Sequence, residues 1–287
     1  MILLKRLTKS AFKFIMLTMS KKIFFFDLDG TLLNSKKEIT SKTMEALKRF
    51  TDAGNHFAIS TGRAIDSALD VQKELGLFFP GTFLVGYNGG QIYDCDNKEL
   101  VYRAQIPLDL VKKCFDLAKE HNIHIHTYND DHILTPDDGE CIDYYRRVIK
   151  TPYIVTDDVT KELEYGPSKC ITIELHDHEK MERFREEVLK IAPDKLSVMY
   201  SNPYYLEIFP SEAGKGSAVV RLCDYLDIPI ENSFAAGDEQ NDISMIKAAG
   251  TGIAMLNATD MVKDNADVIT ESDNDHDGLA PFIEKAI

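Results

Sequence analysis

The chain has 287 residues, 44% hydrophobic and 28% charged, which is room for two modest domains with ample buried core. The 47 acidic residues outnumber 33 basic ones, giving a formal net charge of −14. That balance leaves no basic stripe and excludes nucleic acid and anionic membrane surfaces as expected partners.

Residues 1–18 carry Lys5, Arg6, Lys9 and Lys13 among short, interrupted apolar runs. A weak signal peptide and a basic amphipathic helix are both conceivable, but no clear cleavage site follows. The expectation is an extension outside the fold. Ile23–Phe26 then fits a buried parallel strand, and it ends abruptly in Asp27-Leu28-Asp29-Gly30-Thr31. In an open α/β sheet the carboxyl end of a strand is where ligands bind. A carboxylate there can be a nucleophile, a metal ligand or a general acid, and two can divide those jobs. The bland reading is an Asx-rich turn, yet the string Asp-x-Asp-Gly-Thr arises by chance in roughly three of a thousand chains of this length.

A helix follows over 41–51, with Met44, Leu47 and Phe50 on one face, ending near Gly54. His56–Ser60 reads as a strand and is followed by Thr61-Gly62-Arg63; helix 64–75 ends at Gly76. The next strand, Phe83–Tyr87, runs into Asn88-Gly89-Gly90. From about 105 the character changes. Strand-like runs at 124–128, 169–175 and 197–201 alternate with amphipathic helices at 108–121 and 178–191. The strand–helix pattern is expected to resume near Tyr205–Ile208. Gly214-Lys215-Gly216-Ser217 then opens a helix through Val219, Val220, Leu222 and Leu226. Ser233–Ala236 is another short strand, and Gly237-Asp238-Glu239-Gln240-Asn241-Asp242 leads into the apolar stripe Ile243, Met245, Ile246, Ala249. Such alternation predicts an α/β fold, a doubly wound parallel sheet interrupted by an inserted α+β segment. The expected division is core 19–104, insert 105–196 and core 197–287, with hairpin 91–103 assignable to either side.

Taken singly, Thr-Gly-Arg is an ordinary turn and an exposed lysine is solvated. As a set, the four motifs at Asp27, Thr61, Lys215 and Asp238 resemble those of the haloacid dehalogenase superfamily of phosphohydrolases. Within it the chain is similar to the Cof-type sugar-phosphatase branch, from Met19 to the C-terminus. Supporting matches are Tyr87-Asn88-Gly89-Gly90, the run Ala248–Met255 with Asn257-Ala258, and Asp277-Gly278-Leu279. The resemblance implies a Rossmann-like core with a cap domain. It makes Asp27 the nucleophile, Asp29 the general acid/base, Thr61 and Lys215 phosphate-binding groups, and Asp238 the metal ligand that completes the site.

Phosphoryl transfer needs an in-line nucleophile, neutralised equatorial oxygens and a protonated leaving alkoxide. A carboxylate approaching a phosphate dianion is repelled, so a cation is required, and Mg²⁺ prefers few carboxylates plus waters and substrate oxygens. Asp27 and Asp238 would give side-chain oxygens and Asp29 its backbone carbonyl. Asp242 is expected to hold a bound water or cap the next helix. The N–H groups of Leu28 and Gly62 and the amide of Asn241 are expected phosphate donors. Asn88 is expected to line the pocket and Arg63 to pair with a nearby acid. Lys169, His126, Tyr128 and Arg146 are the insert's candidates for substrate contact, weighed against core or surface filler. An acid at position 29 argues against a halide leaving group, which needs no proton.

The expected function is therefore a Mg²⁺-dependent phosphatase of small phosphomonoesters, sugar phosphates first, acting through an aspartyl-phosphate on Asp27. Alternatives are a sugar phosphomutase with the same chemistry or a non-catalytic sugar-phosphate sensor. The five cysteines (Cys95, Cys114, Cys141, Cys170, Cys223) are scattered without a Cys-x-x-Cys pair, and no transmembrane span follows the first twenty residues. The expectation is a cytoplasmic monomer or small homo-oligomer.

Overall fold

A computed structural model describes residues 21–287 apart from Val148, so the expected extension at 1–18 lies outside the described residues. The chain divides into two compact units, one running up to Tyr102 and again from Gly214 to Ile287, the other Arg103–Ala213.

The first unit is built on an eight-stranded sheet. In spatial order its strands are Val268–Ile269, Thr251–Ala254, Ser233–Gly237, Ile23–Phe26, His56–Ser60, Thr82–Gly86, Gln91–Asp94 and Glu99–Arg103. Six strands, from Val268–Ile269 to Thr82–Gly86, are parallel, and Gln91–Asp94 pairs antiparallel with Thr82–Gly86. Hairpin 91–103 thus adds its strands to this sheet. Ile23–Phe26 is apolar at every position because both of its faces are covered. Phe24 and Phe26 pack with Leu47 and Phe50 of the helix Ser41–Asp52, while Ile23 and Phe25 pack with Val219 and Leu222 of the helix Lys215–Tyr225. From this strand the chain winds one way to His56–Ser60 and later the other way from Ser233–Gly237. The carboxyl end of Ile23–Phe26 is therefore the topological switch point, where a crevice opens in a doubly wound sheet.

The second unit is an α+β layer. Its six strands lie in the order Leu196–Asn202, Tyr205–Pro210, Cys170–Ile173, His124–Tyr128, Ile133–Thr135 and Tyr153–Val155, antiparallel except for the last pair. Strand alternation sends Ile125, Cys170, Leu206 and Ile208 to one face, under the helices Leu108–Glu120 and His178–Ile191. Ile133, Ile171 and Ile173 go to the other, with Ile142 and Tyr145. Here the structure differs from the expected return at 197. Tyr205–Pro210 pairs with Cys170–Ile173 and with Leu196–Asn202, so both late strands belong to this sheet and the first unit resumes at Gly214.

Candidate active site

The parallel sheet brings the sequence motifs to one edge because each follows the last residue of a strand. Asp27 follows Phe26, Thr61 follows Ser60 and Asp238 follows Gly237. Adjacent strands end in register, with Phe26 opposite both Ala236 and Ile59. Asn88 joins them through a turn in which Tyr87 and Asn88 both take left-handed φ, 50° and 53°. That turn is stapled to the Thr61 loop by Tyr87 N–H to Arg63 O at 2.8 Å and Asn88 N–H to Thr61 O at 2.9 Å. Asn241 donates through Nδ2 to Asn88 Oδ1 at 3.3 Å, so these two amides meet as well.

Lys215 is the centre of charge. Its side chain is wholly buried and donates to Asp27 Oδ1 at 2.5 Å and to Asp242 Oδ1 at 2.6 Å. Gly216 makes this placement possible. A Cβ there would stand 2.4 Å from Ser244 O, so only glycine lets the two helices approach, and Gly216 N–H reaches Ser244 Oγ at 3.1 Å. The second Asp242 oxygen accepts from the N–H groups of Asp238 and Glu239, both at 3.0 Å. Asp242 thus both caps the turn before its helix and pairs with Lys215.

Three carboxylates, Asp27, Asp238 and Asp242, bring oxygens within 4.8 Å of one another. Burial pushes Asp27 up to about 6 against the opposing pull of Lys215, and pushes Asp238 up to about 7 despite a hydrogen bond from Thr31. Burial alone would lower Lys215, but the charges of Asp27 and Asp242 outweigh it and hold the amine above its usual value. One lysine among three acids leaves the cluster short of positive charge. Asp242 is fully engaged, whereas Asp27 Oδ2 and Asp238 Oδ2 have no hydrogen-bond donor among the described residues. Two free hard oxygens in a buried anionic pocket fit a small divalent cation such as Mg²⁺.

Gly30 guards that geometry. Its φ is +83°, and a Cβ there would fall 2.2 Å from Asp238 Oδ2. The Asp29 side chain takes a separate path, accepting from Lys37 Nζ at 2.6 Å and Arg63 at 3.1 Å. Burial would raise its carboxyl, but these two cations overcome it and hold Asp29 below the ordinary value. Arg63 pairs with an acid, as its sequence context suggested. Neither Leu28 N–H nor Gly62 N–H has an acceptor among the described residues, and the buried Thr61 hydroxyl accepts only from Arg63 N–H at 3.3 Å. These are donors free to meet an anion.

Sequence reasoning gave no role to Thr31, whose hydroxyl donates to Asp238 Oδ1 at 2.7 Å, although it belongs to the first motif. It also missed Lys37, and Asn257, whose Nδ2 holds Gly30 O at 2.8 Å. Lys37 carries no signal of its own, being one of two adjacent lysines in a polar loop.

Residues 24–283 match the family model described as haloacid dehalogenase-like hydrolase. The chain belongs to that family, and it is an enzyme. It is 33% identical to the 5-amino-6-(5-phospho-D-ribitylamino)uracil phosphatase YwtE of Bacillus subtilis, over 93% of this chain and 98% of that protein. It is 31% identical to the putative phosphatase YxeH of the same organism, again over 93% and 98%. Among solved structures, a haloacid dehalogenase-like hydrolase from Bacteroides thetaiotaomicron aligns with a TM-score of 0.78 at 33% identity, covering 93% of this chain and all of the other. A protein from Thermotoga maritima aligns at 0.79 and 29% identity, over 93% and 97%. The family hydrolase has the fold expected from its sequence, and no helix among its described residues is long and apolar enough to cross a membrane.

Proposed function

We propose that this hydrolase is a Mg²⁺-dependent phosphatase of small phosphomonoesters whose phosphate sits on a sugar or polyol hydroxyl. The observation that carries the reading is Lys215, buried between Asp27 and Asp242 beside two free carboxylate oxygens and two unengaged N–H groups. Asp27 and Asp238, with the backbone carbonyl of Asp29, would hold the metal ion, which when bound offsets the negative charge of phosphate and carboxylates. The N–H groups of Leu28 and Gly62, the Thr61 hydroxyl, Lys215 and the Asn241 amide bind the phosphate oxygens. A carboxylate oxygen of Asp27 attacks phosphorus as the bond to the leaving oxygen breaks, and Asp29 delivers a proton to that oxygen. Water then attacks the aspartyl-phosphate, Asp29 takes its proton, and the phosphorus–Asp27 bond breaks. Asp242 serves by fixing Lys215 and the start of its own turn.

The substrate class draws on two supports. The first is Asp29, an acid suited to poor alkoxide leaving groups. The second is the kinship with phosphatases named for a ribityl phosphate, a polyol phosphate chemically close to sugar phosphates. The test is phosphate release from sugar phosphates, polyol phosphates and nucleotides, with and without Mg²⁺. Metal-dependent release that ranks polyol and sugar phosphates first is the expected result. No release from any of them, or full release after thorough chelation, overturns the reading.

A further inference from the structure

Asp29 is unusual among the site carboxylates in being half-exposed and yet held at both oxygens. Lys37 Nζ reaches Oδ1 at 2.6 Å, and Arg63 reaches Oδ2 at 3.1 Å. The two cations come from different segments. Arg63 is anchored in the Thr61 loop through its N–H to Thr61 Oγ1 and its carbonyl, which accepts from Tyr87. Lys37 comes from a turn closed by Asn34. Asn34 N–H donates to Glu38 O at 2.9 Å, Lys37 N–H donates to Asn34 O at 3.0 Å, and Asn34 Oδ1 accepts from the N–H groups of Lys36 and Glu38. Asn274 and Asp275 tie the same turn down through Leu33 O and Ser35 N–H, each at 2.7 Å.

Lys37 sits in this turn with φ of +64°, a conformation a lysine rarely adopts. An exposed ion pair contributes little to folding, so stability alone does not explain a braced turn with a strained residue at its end. Strain of that kind gathers where a side chain must be delivered to one place. The geometry here delivers an ammonium to one oxygen of the residue that must move the leaving-group proton, while Arg63 takes the other. A lone half-exposed aspartate samples several rotamers, whereas one gripped from two sides keeps a single orientation.

We propose that Lys37, together with Arg63, is a positioning residue for Asp29, orienting its carboxyl group for proton transfer to and from the reacting oxygen. This rests on Asp29 being the general acid/base. The experiment compares ribose 5-phosphate, whose alkoxide needs a proton, with p-nitrophenyl phosphate, whose phenolate needs little help. Three variants are measured: Asp29→Asn, Lys37→Asn and Lys37→Arg. Asparagine tolerates the left-handed turn and lacks the charge, so the loop can keep its shape.

In Lys37→Asn, kcat on ribose 5-phosphate should fall roughly tenfold more than on p-nitrophenyl phosphate, a fraction of the span that acid/base catalysis covers. KM should stay within about twofold, and Lys37→Arg should recover most of the lost kcat. Equal effects on both substrates in Lys37→Asn, alongside a selective loss in Asp29→Asn, would make Lys37 a plain surface cation and overturn the proposal. Equal losses in Asp29→Asn would remove Asp29 as the acid, and the proposal with it. The two failures are distinguished by which variant loses selectivity.

Discussion

Each unit of this hydrolase buries a polar network, and the two differ in how their charge is balanced. In the first unit Lys215 lies between Asp27 and Asp242, with Asp238 nearby, so three acids share one base. In the second unit a chain of side chains runs from Asp137 through His124, His126 and Tyr128 to Tyr145, with contacts of 3.0, 3.1 and 3.3 Å along its first three links. An ionised Asp137 can only accept, so His124 Nδ1 carries its proton and His124 Nε2 accepts from His126 Nδ1–H. His126 Nε2 then accepts from the Tyr128 hydroxyl. Every hydrogen bond points one way and both imidazoles are neutral. A network that satisfies itself stabilises and orders a core, whereas one left short of positive charge is prepared for something that arrives later. Of the insert's sequence candidates, His126 and Tyr128 fall in this self-satisfied network. Lys169 pairs with the buried Glu207 at 3.1 Å, and Arg146 lies over the Tyr153 ring at 4.6 Å.

The comparison is tested most severely at Asp27. If the unbalanced cluster is the reacting one, Asp27→Ala removes the nucleophile and kcat/KM should fall by at least about a thousandfold. Matching loss of secondary structure is not expected, because the residue stands past the strand end. Activity within roughly tenfold of the parent would take the chemistry away from this cluster. By contrast, replacing Tyr145 with Phe in the second network should leave kcat on p-nitrophenyl phosphate within about threefold, since a satisfied core hydroxyl contributes to stability first.

Next in size is Lys215→Met. With the ammonium gone, Asp27 and Asp242 become buried acids without a counter-charge, and breaking such a pair costs about 3 kcal/mol. Urea unfolding at pH 7.5 in EDTA should show that loss, and added Mg²⁺ should return part of it if a cation can stand in for the lysine. A stability within about 0.5 kcal/mol of the parent would mean the cluster is already balanced.

How far the sequence made this arrangement legible depends on range. Asp27, Thr61 and Asp238 were readable because each is written beside its own strand, and a parallel sheet gathers strand ends without further instruction. The double role of Asp242 was only half readable. Its capping of the next turn is local, but its bond to Lys215 depends on the contact of Gly216 with Ser244, which no periodicity announces. Lys37 was invisible because a turn built by Asn34 has to aim it. The unit boundary failed to read at 197 for a similar reason. Tyr205–Pro210 is an apolar strand that would suit either sheet, and only its non-local pairing with Cys170–Ile173 assigns it.

A third test uses pH and metal on the first unit. Asp27 and Asp238 lie near 6 and 7 in the fold and at the ordinary 3.8 when unfolded. Between about pH 4 and pH 7 the metal-free fold therefore holds more protons than the unfolded chain, and its stability falls as pH rises through that window. A divalent cation reverses this by replacing the protons. At roughly a hundredfold excess over Kd, Mg²⁺ should add about 2.7 kcal/mol at pH 7.5 and clearly less at pH 5.5, where protons occupy the same oxygens. Thermal melts in EDTA and in Mg²⁺ at both pH values check the sign. Equal Mg²⁺ effects at the two would separate the binding oxygens from these carboxyls.

The second unit should respond to pH in the opposite sense, and more weakly. His126 is completely buried, and its burial, with the charges of His124 and Lys169, holds it well below the ordinary 6.5. Above that value both folded and unfolded states carry a neutral imidazole, so there is no effect. Below it the unfolded chain takes up a proton that the fold refuses, and stability declines as pH falls, by up to about 1.4 kcal/mol per pH unit for one proton. Asp137 contributes in the same direction only at lower pH, because the hydrogen bond from His124 depresses its carboxyl. Amide hydrogen exchange resolves the two units in one sample. From pH 7 to 5.5 without metal, protection at Ile125 and Ile171 should drop after correction for intrinsic rates, while protection at Phe25 and Ala235 holds or rises. In His126→Gln the drop at Ile125 and Ile171 should shrink, since the amide keeps a donor and an acceptor without titrating. If that variant retains the full pH dependence, the proton is taken up elsewhere in the second unit and its buried network is not the neutral counterpart of the first.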